Sequence, residues 1–218
     1  MTSKRNKDAL LDAALQSVVD VGVRRTTLTD VARLAGVSRM TMYRYFPDIA
    51  AVLRELMTRE FGALIAEIGE EVAALPTARE RLVESAVTCV ERLPRQPLFR
   101  RVLDVDPDLI LPYVIDRLGT TQRSAIAVFG RLLAEGRVDG SIGVGAGNSG
   151  GGGGQDLAAF CLQLALQSFV FSARVIESEH SVSAVSGELR RMLNAYLAPD
   201  PGGDSGAAEI QLEMDSVG

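Results

Sequence analysis

One short segment of the chain carries side chains that can bind the grooves of a nucleic acid. Its members are Ser38, Arg39, Met40, Thr41, Tyr43, Arg44 and Tyr45. An arginine can donate two hydrogen bonds to the edge of a guanine, and threonine or tyrosine hydroxyls can reach phosphate oxygens. A methionine can make an apolar contact with the methyl group of thymine. These residue types favour recognition of double-stranded DNA.

Two helices joined by a tight turn would position these side chains. A helix that starts at the cap Thr27 and ends at Gly36 precedes one that starts at the cap Ser38 and runs to Phe46. Gly36 stands where the chain must turn with a positive φ, which glycine adopts without strain. Met42 and Phe46 are four residues apart and face the core, so Arg39, Met40, Tyr43 and Arg44 project outward. The first helix is expected to bury Val31, Leu34 and Ala35.

This arrangement resembles the DNA-binding domain of TetR-type transcriptional regulators. The matching residues are Thr27, Val31, Ala32, Ala35, Gly36, Val37, Ser38, Thr41, Tyr43, Phe46, Pro47 and Leu53. The resemblance is close over about residues 6–60 and architectural beyond them. It implies a homodimer that represses transcription by binding a palindromic DNA operator and leaves that operator when a small molecule binds.

The resemblance also implies which residues touch DNA. Thr27 and Tyr43 would hold phosphates, and Arg39, Thr41 and Arg44 would face bases. The full predicted set is Thr27, Thr29, Ser38, Arg39, Met40, Thr41, Tyr43, Arg44 and Tyr45.

One family contact is expected to be missing from this set. Ile49 stands where the family usually has a phosphate-binding lysine. Against the DNA interpretation, residues 27–46 could form only a helical corner without any DNA contact.

The charge distribution is uneven along the 218 residues, whose formal net charge is −5. Residues 1–46 contain eight basic and four acidic side chains, a net of +4, and the remainder contains 15 and 24, a net of −9. The acidic average therefore conceals a basic N-terminal end that suits a polyanion. Lys4, Arg5 and Lys7 precede the expected first helix and form either an arm on DNA or a solvated terminus.

Nothing in the sequence predicts an enzyme, a metal site or a cofactor. His180 is the only histidine, and Cys89 and Cys161 lack metal-ligand spacing and read as buried free thiols. The start of the chain lacks the apolar stretch of a secretory signal, and the apolar segment Leu157–Phe171 is shorter than the ~20 residues of a membrane helix. A cytoplasmic location with no membrane contact is expected.

Helical apolar spacing continues along the rest of the chain and predicts an all-α fold of about nine helices. The further helices are expected at Ile49–Gly69, from Thr77 to before Pro94, Pro97–Asp104, from Pro107 to Gly119 with a kink at Pro112, Thr120–Glu135, Gln155–Glu177 and Ser183–Leu197. The predicted domains are a helix-turn-helix domain at residues 1–47 and a ligand-binding and dimerisation domain at 48–198. A flexible glycine-rich loop at 140–154 and a disordered acidic tail at 199–218 are also expected.

The helical domain is expected to hold a small apolar ligand and the dimer interface. The candidate ligand-binding residues are Phe99, Leu103, Leu111, Tyr113 and Phe129, on faces with few polar side chains. The candidate interface residues are Phe160, Leu164, Phe169, Phe171, Leu189 and Leu193, because the helix from Gln155 is apolar almost all round. Plain core packing is the competing interpretation for each of these residues. An activator or an architectural DNA-binding protein stays an alternative, and a small helical enzyme or carrier is a more distant one.

Overall fold

The computed structural model describes residues 2–143 and 153–199, and within these ranges every regular element is helical. The α-helices are α1 (Thr2–Val21), α2 (Leu28–Leu34), α3 (Arg39–Tyr45), α4 (Ile49–Val72), α5 (Ala78–Arg92), α6 (Pro97–Val105), α7 (Leu111–Ile115), α8 (Thr120–Val138), α9 (Gly153–Phe171), α10 (Ala173–Glu179) and α11 (Val182–Leu197). Short 3₁₀ turns stand at Leu93–Arg95 and Pro107–Leu109. The all-α prediction is confirmed. Most of the predicted glycine-rich loop and nearly all of the predicted tail lie outside the described residues.

Side-chain caps fix the helix starts that the sequence predicts. The side-chain oxygens of Thr27, Ser38 and Asp48 each accept a hydrogen bond from the backbone N–H three residues on. Thr77 and Glu80 form a complete capping box at the start of α5. These caps satisfy backbone donors that the first turn of a helix otherwise leaves unpaired.

The first three helices form a small head whose core continues into α4. Val31 and Met42 are fully buried there, and Phe46 is nearly so. Leu34 is half exposed, so the prediction that α2 buries it is wrong: it stands at the last position of α2, and the chain turns away immediately after it. Lys7, Lys4 and Arg5 lie within α1 rather than in an arm before it.

The remaining helices form the body, in which α5 is central. It packs against α4, α8, α9 and α11. One hydrophobic core runs through the head and the body without interruption. The head contacts the body through α1, which packs against both α4 and α6.

Two predicted helices are interrupted in the structure. The expected helix with a kink at Pro112 is instead a 3₁₀ turn followed by α7, with Pro112 in the first turn of α7, where its missing N–H costs nothing. The expected helix Gln155–Glu177 breaks at Ser172, whose φ of −88° and ψ of 9° lie outside the helical range. In the part of the chain that the structure describes, no single helix is long and apolar enough to cross a membrane. The α9 and α10 pair would pass that test together, but it bends by 57°.

A buried carboxylate joins the head to the body. Asp106, which ends α6 and is only 1% exposed, accepts hydrogen bonds through Oδ2 from the backbone N–H groups of Val23 (2.8 Å) and Arg24 (3.3 Å). Its Oδ1 lies 3.1 Å from Nε of Arg24. Gly22 has a φ of +89°, and a Cβ there would lie 2.9 Å from Cγ1 of Val105. The turn after α1 is therefore clasped by the end of α6.

Candidate DNA interface and ligand cavity

The outer face of α3 presents unpaired polar and apolar side chains to solvent. Met40 is 80% exposed and Tyr43 is 55% exposed, and Arg39 and Arg44 are exposed as well. Met42, on the opposite side, is completely buried. The helix thus anchors one face in the core of the head and leaves the other free to enter a groove of DNA.

The cap residues of α2 and α3 are already engaged within the head. Ser38 Oγ accepts from the backbone N–H of Thr41 (3.1 Å) and hydrogen bonds with its hydroxyl (3.0 Å). The Thr27 hydroxyl donates to Asp30 Oδ2 at 2.6 Å. Thr29 is half-buried in the first turn of α2. Three of the predicted DNA-binding residues, Thr27, Ser38 and Thr41, therefore also order the helix starts that would face DNA.

Two residues near the end of α3 are held against the protein. Tyr45 is half-buried and packs on the core, and the guanidinium of Arg44 lies 5.5 Å from the centre of its ring. Ile49 also packs on the core, which gives a structural role to the residue that replaces the family's lysine. Lys7 pairs with Glu55 at 2.7 Å, so it ties α1 to α4 and does not form an arm on DNA.

The body encloses a cavity of about 690 Å³ between α4, α5, α6, α8 and α9. Most of its wall is apolar, and its aliphatic and aromatic lining includes Phe61, Leu64, Ile68, Val90, Phe99, Phe129, Leu132, Leu166 and Val170. Such a volume and lining are typical of sites for small organic molecules.

Three of the five predicted ligand-binding residues line the cavity, namely Phe99, Tyr113 and Phe129. Leu103 does not line it, and Leu111 is half exposed at the surface. Leu103 lies one turn beyond Phe99 on the same face of α6 and packs partly on the core, and Leu111 is the first residue of α7.

Phe99 joins the two sides of the cavity wall. Its ring centre lies 5.9 Å from that of Phe61, edge to face, and 5.7 Å from that of Phe171, in a stacked arrangement. Phe171 is therefore part of the cavity wall, and its place in a dimer interface stays a prediction. The aromatic stack binds α6 to both α4 and α9.

The cavity lining is less uniformly apolar than the sequence predicts. Polar side chains also line it: Arg54, Thr58, Arg81, Ser85, Arg117, Thr120, Thr121, Gln122, Arg123, Arg131, Glu135, Gln163 and Gln167. Sequence reasoning missed Gln122 and Gln167 because they are 45 positions apart and meet only after α8 packs on α9. No pattern of neighbouring residues in the sequence predicts the contact between these two side chains.

The two cysteines differ in their surroundings. Cys89 lines the cavity, and burial raises the pKa of its thiol to about 11. Cys161 is exposed on α9, so the expectation that both thiols are buried is wrong.

An exposed apolar surface covers parts of α9 and α11. On α9, Phe160 and Leu164 are exposed as predicted for an interface, together with Leu157. Leu189 and Leu193 are buried within the subunit, so their predicted interface role is wrong. The exposed apolar residues of α11 are instead Met192 and Tyr196, and Phe169 packs partly on the core. Leu189 and Leu193 lie on the buried side of α11, which packs against α5, and the exposed side of this helix is a different one.

The chain is similar to known proteins over most of its length. The sequence profile of bacterial regulatory proteins of the tetR family matches residues 10–56, which contain α2 and α3. An uncharacterized helix-turn-helix transcriptional regulator of Mycobacterium tuberculosis is 35% identical over 188 residues, which are 86% of this chain and 92% of that protein.

Two solved structures share the fold at low sequence identity. The TetR family repressor AlkX of a Dietzia species, implicated in biodegradation of n-alkanes, matches with a TM-score of 0.61 and 20% identity, over 87% of this chain and 94% of that one. The transcriptional regulator FadR of Bacillus subtilis, in complex with stearoyl-CoA, matches with a TM-score of 0.56 and 17% identity, over 87% and 98%.

Proposed function

The chain belongs to the TetR family of bacterial DNA-binding transcriptional regulators, and from that premise we propose that it is a repressor that a small apolar molecule releases from a palindromic operator. The observation that carries the proposal is the position of α6. Phe99 of this helix lines the cavity, and Asp106 at its end clasps the turn that leads to the helix-turn-helix segment. A ligand that favours one position of α6 would thereby favour one position of the head.

We assign the DNA contacts to α3 and to the helix starts beside it. Arg39 and Arg44 read base edges in the major groove, Met40 contacts a thymine methyl group, and Tyr43 holds a phosphate. The exposure of these four side chains on a helix whose other face is buried supports the assignment. Thr27, Thr29, Ser38 and Thr41 bind phosphates or bases from the first turns of α2 and α3, and Tyr45 supports Arg44 by stacking.

Two subunits associate through the exposed surface of α9 and α11. The surface consists of five exposed large apolar side chains on two helices, namely Leu157, Phe160, Leu164, Met192 and Tyr196, and a group of such side chains is typical of an interaction site. Pairing it across a two-fold axis would bury it and would set the two α3 helices one DNA turn, or a multiple of a turn, apart.

The ligand is apolar over most of its length because the cavity wall is. The neighbour FadR holds stearoyl-CoA in a similar fold, which supports a long-chain ligand here without identifying it.

Residues 1–47 serve as the DNA-binding domain and 48–198 as the ligand and dimer domain. The protein works in the cytoplasm, where bacterial DNA is found.

Binding to the DNA that flanks the chain's own gene tests the proposal. We expect fluorescence anisotropy to show tight binding that weakens steeply between two salt concentrations. Arg39→Ala is expected to relax base preference at a cost of about 1–3 kcal/mol per position, and Tyr43→Phe to weaken binding evenly across sequences. Arg100→Ala, which removes an exposed arginine from α6, is the matched control. If Arg39→Ala and Tyr43→Phe both bind as the control does, the assignment of α3 is wrong.

The direction of regulation and the ligand need separate measurements. Expression of the chain is expected to lower transcription from a reporter that carries the bound DNA, and a rise would instead indicate an activator. Extraction of the purified protein followed by mass spectrometry is expected to yield a molecule with a long apolar part. Recovery of small polar molecules alone would contradict the apolar ligand.

A further inference from the structure

A hydrogen-bond chain inside the cavity leaves one amide donor without an acceptor among the described residues. The backbone N–H of Gly119 donates to Oε1 of Gln122 at 2.7 Å, and because an N–H can only donate, this bond fixes which end of the Gln122 amide is oxygen. The Nε2 of Gln122 then donates to the carbonyl of Tyr113 (2.9 Å) and to Oε1 of Gln167.

The same chain fixes the orientation of Gln167. Since its Oε1 accepts from Gln122, its NH₂ group must point the other way. Gln167 is 9% exposed and lines the cavity, and its NH₂ has no acceptor among the described residues. An amide donor that lines the cavity and has no protein acceptor is available to an oxygen atom of a ligand, so this group favours an oxygen-bearing ligand.

The electrostatic surroundings of this donor are positive. Arg117 and Arg123 line the same part of the cavity, and no carboxylate of the described residues pairs with either of them. Arg117 lies instead 5.1 Å over the ring of Tyr113. The first turn of α8, a helix of 19 residues, adds the partial positive charge of a helix start through Thr120 and Thr121.

The opposite end of α8 is electrostatically different. Arg81 and Arg131 also line the cavity there, but both pair with Glu135, at 3.2 Å and 3.6 Å. Thr120 and Glu135 are separated by ~22 Å along the helix axis. The arginines near the start of α8 therefore lack a carboxylate partner among the described residues, whereas those near its other end are paired with Glu135.

We propose that the ligand is an amphipathic anion whose carboxylate or phosphate lies at the start of α8. It accepts a hydrogen bond from Nε2 of Gln167 and is attracted by Arg117 and Arg123, while its apolar chain runs along α4 and α8 between Phe61, Phe129 and the residues beyond them. The inference rests on the proposed ligand-binding function and adds the charge, the chemistry and the orientation of the ligand.

Three probes with one chain and different head groups test the proposal: dodecanoate, methyl dodecanoate and dodecylammonium. Isothermal titration of the full chain, below the concentration at which the probes form micelles, is expected to show that dodecanoate binds about tenfold more tightly than either of the others. The preference is expected to decrease as salt is added, because Arg117 and Arg123 are exposed.

Matched variants locate the head group. Gln167→Leu is expected to weaken dodecanoate binding about tenfold, and Ser168→Ala, at the exposed next position of α9 outside the cavity lining, to leave it unchanged. Arg123→Gln is expected to weaken dodecanoate binding about threefold, and Arg131→Gln, at the other end of α8, to weaken it less, because Arg131 pairs with Glu135. Arg123 is exposed, so its variant keeps the test valid even where Gln167→Leu unfolds the body.

The outcomes separate this proposal from the proposed function. Equal affinity for the three probes, absence of dodecanoate binding, or equal effects of Arg123→Gln and Arg131→Gln would each overturn the anionic head group. Preferential binding of dodecanoate that leaves DNA binding unaltered would support the head group and contradict ligand-controlled release from DNA.

Discussion

The two functional regions of the molecule are assembled in opposite ways. The DNA-facing side chains of α3 fall within seven consecutive residues, and a cap and two buried side chains suffice to present them. The cavity takes its lining from helices spread between Arg54 and Phe171, and its polar end depends on a meeting of Gln122 with Gln167. On the exposed face of α3, recognition is therefore separable from stability, whereas in the body the wall of the cavity is also the core.

The largest effect is expected from the wall of the cavity. Phe99→Ala removes a ring that contacts Phe61 and Phe171, and it is expected to lower the free energy of unfolding by about 3–4 kcal/mol. Urea unfolding followed by circular dichroism measures the change. Phe99→Leu should restore most of the lost stability, since it keeps most of the apolar volume. A loss below about 1 kcal/mol for Phe99→Ala would show that the wall and the core are separable after all.

An intermediate effect is expected at the junction of the two regions. Asp106→Ala leaves the N–H of Val23 buried without an acceptor and is expected to cost about 2–3 kcal/mol in unfolding free energy. Asp108→Ala is the matched control, because Asp108 pairs with the same Arg24 but is exposed, and it should cost under about 0.5 kcal/mol.

The junction also makes a functional prediction. If Asp106 couples the head to the body, Asp106→Ala should reduce the effect of a bound ligand on DNA affinity more than it reduces DNA affinity itself. Equal losses in Asp106→Ala and Asp108→Ala would contradict the clasp.

The smallest effect on stability is expected at α3. Arg39→Ala removes an exposed side chain, and it is expected to change the unfolding free energy by less than about 0.5 kcal/mol while altering the DNA sequences bound. Thermal unfolding measures the change in stability, and a binding assay on the same variant measures the change in the DNA sequences bound. A stability loss as large as that of Asp106→Ala would mean that recognition and stability are not separable in the head.

The sequence predicts the helix starts and turns that depend only on neighbouring residues. The caps at Thr27, Ser38, Asp48 and Thr77 each mark a helix start because the cap and its target are three residues apart. The turn at Gly36 is predictable in the same way, because its φ of +67° is one that glycine adopts without strain. The outward face of α3 was predictable for this reason.

Features that depend on distant partners were not predictable from the sequence. Leu189 and Leu193 are as apolar as Met192, and only the packing of α11 on α5 decides which of them is buried. Phe171 lines the cavity through its stacking on Phe99, 72 positions earlier, and the sequence does not show that contact. The break at Ser172 likewise has no proline or glycine to signal it.

The clasp between Asp106 and the turn after α1 limits the DNA sites that a dimer can accept. A head that swivelled on its body could follow half-sites at several separations, but here Gly22 fits closely against Val105 and Asp106 holds the adjacent backbone. Adding one base pair between half-sites turns the second by about 34° around the duplex axis. With each head fixed to its body, such a rotation moves the second half-site out of reach, so operator spacing becomes part of the specificity.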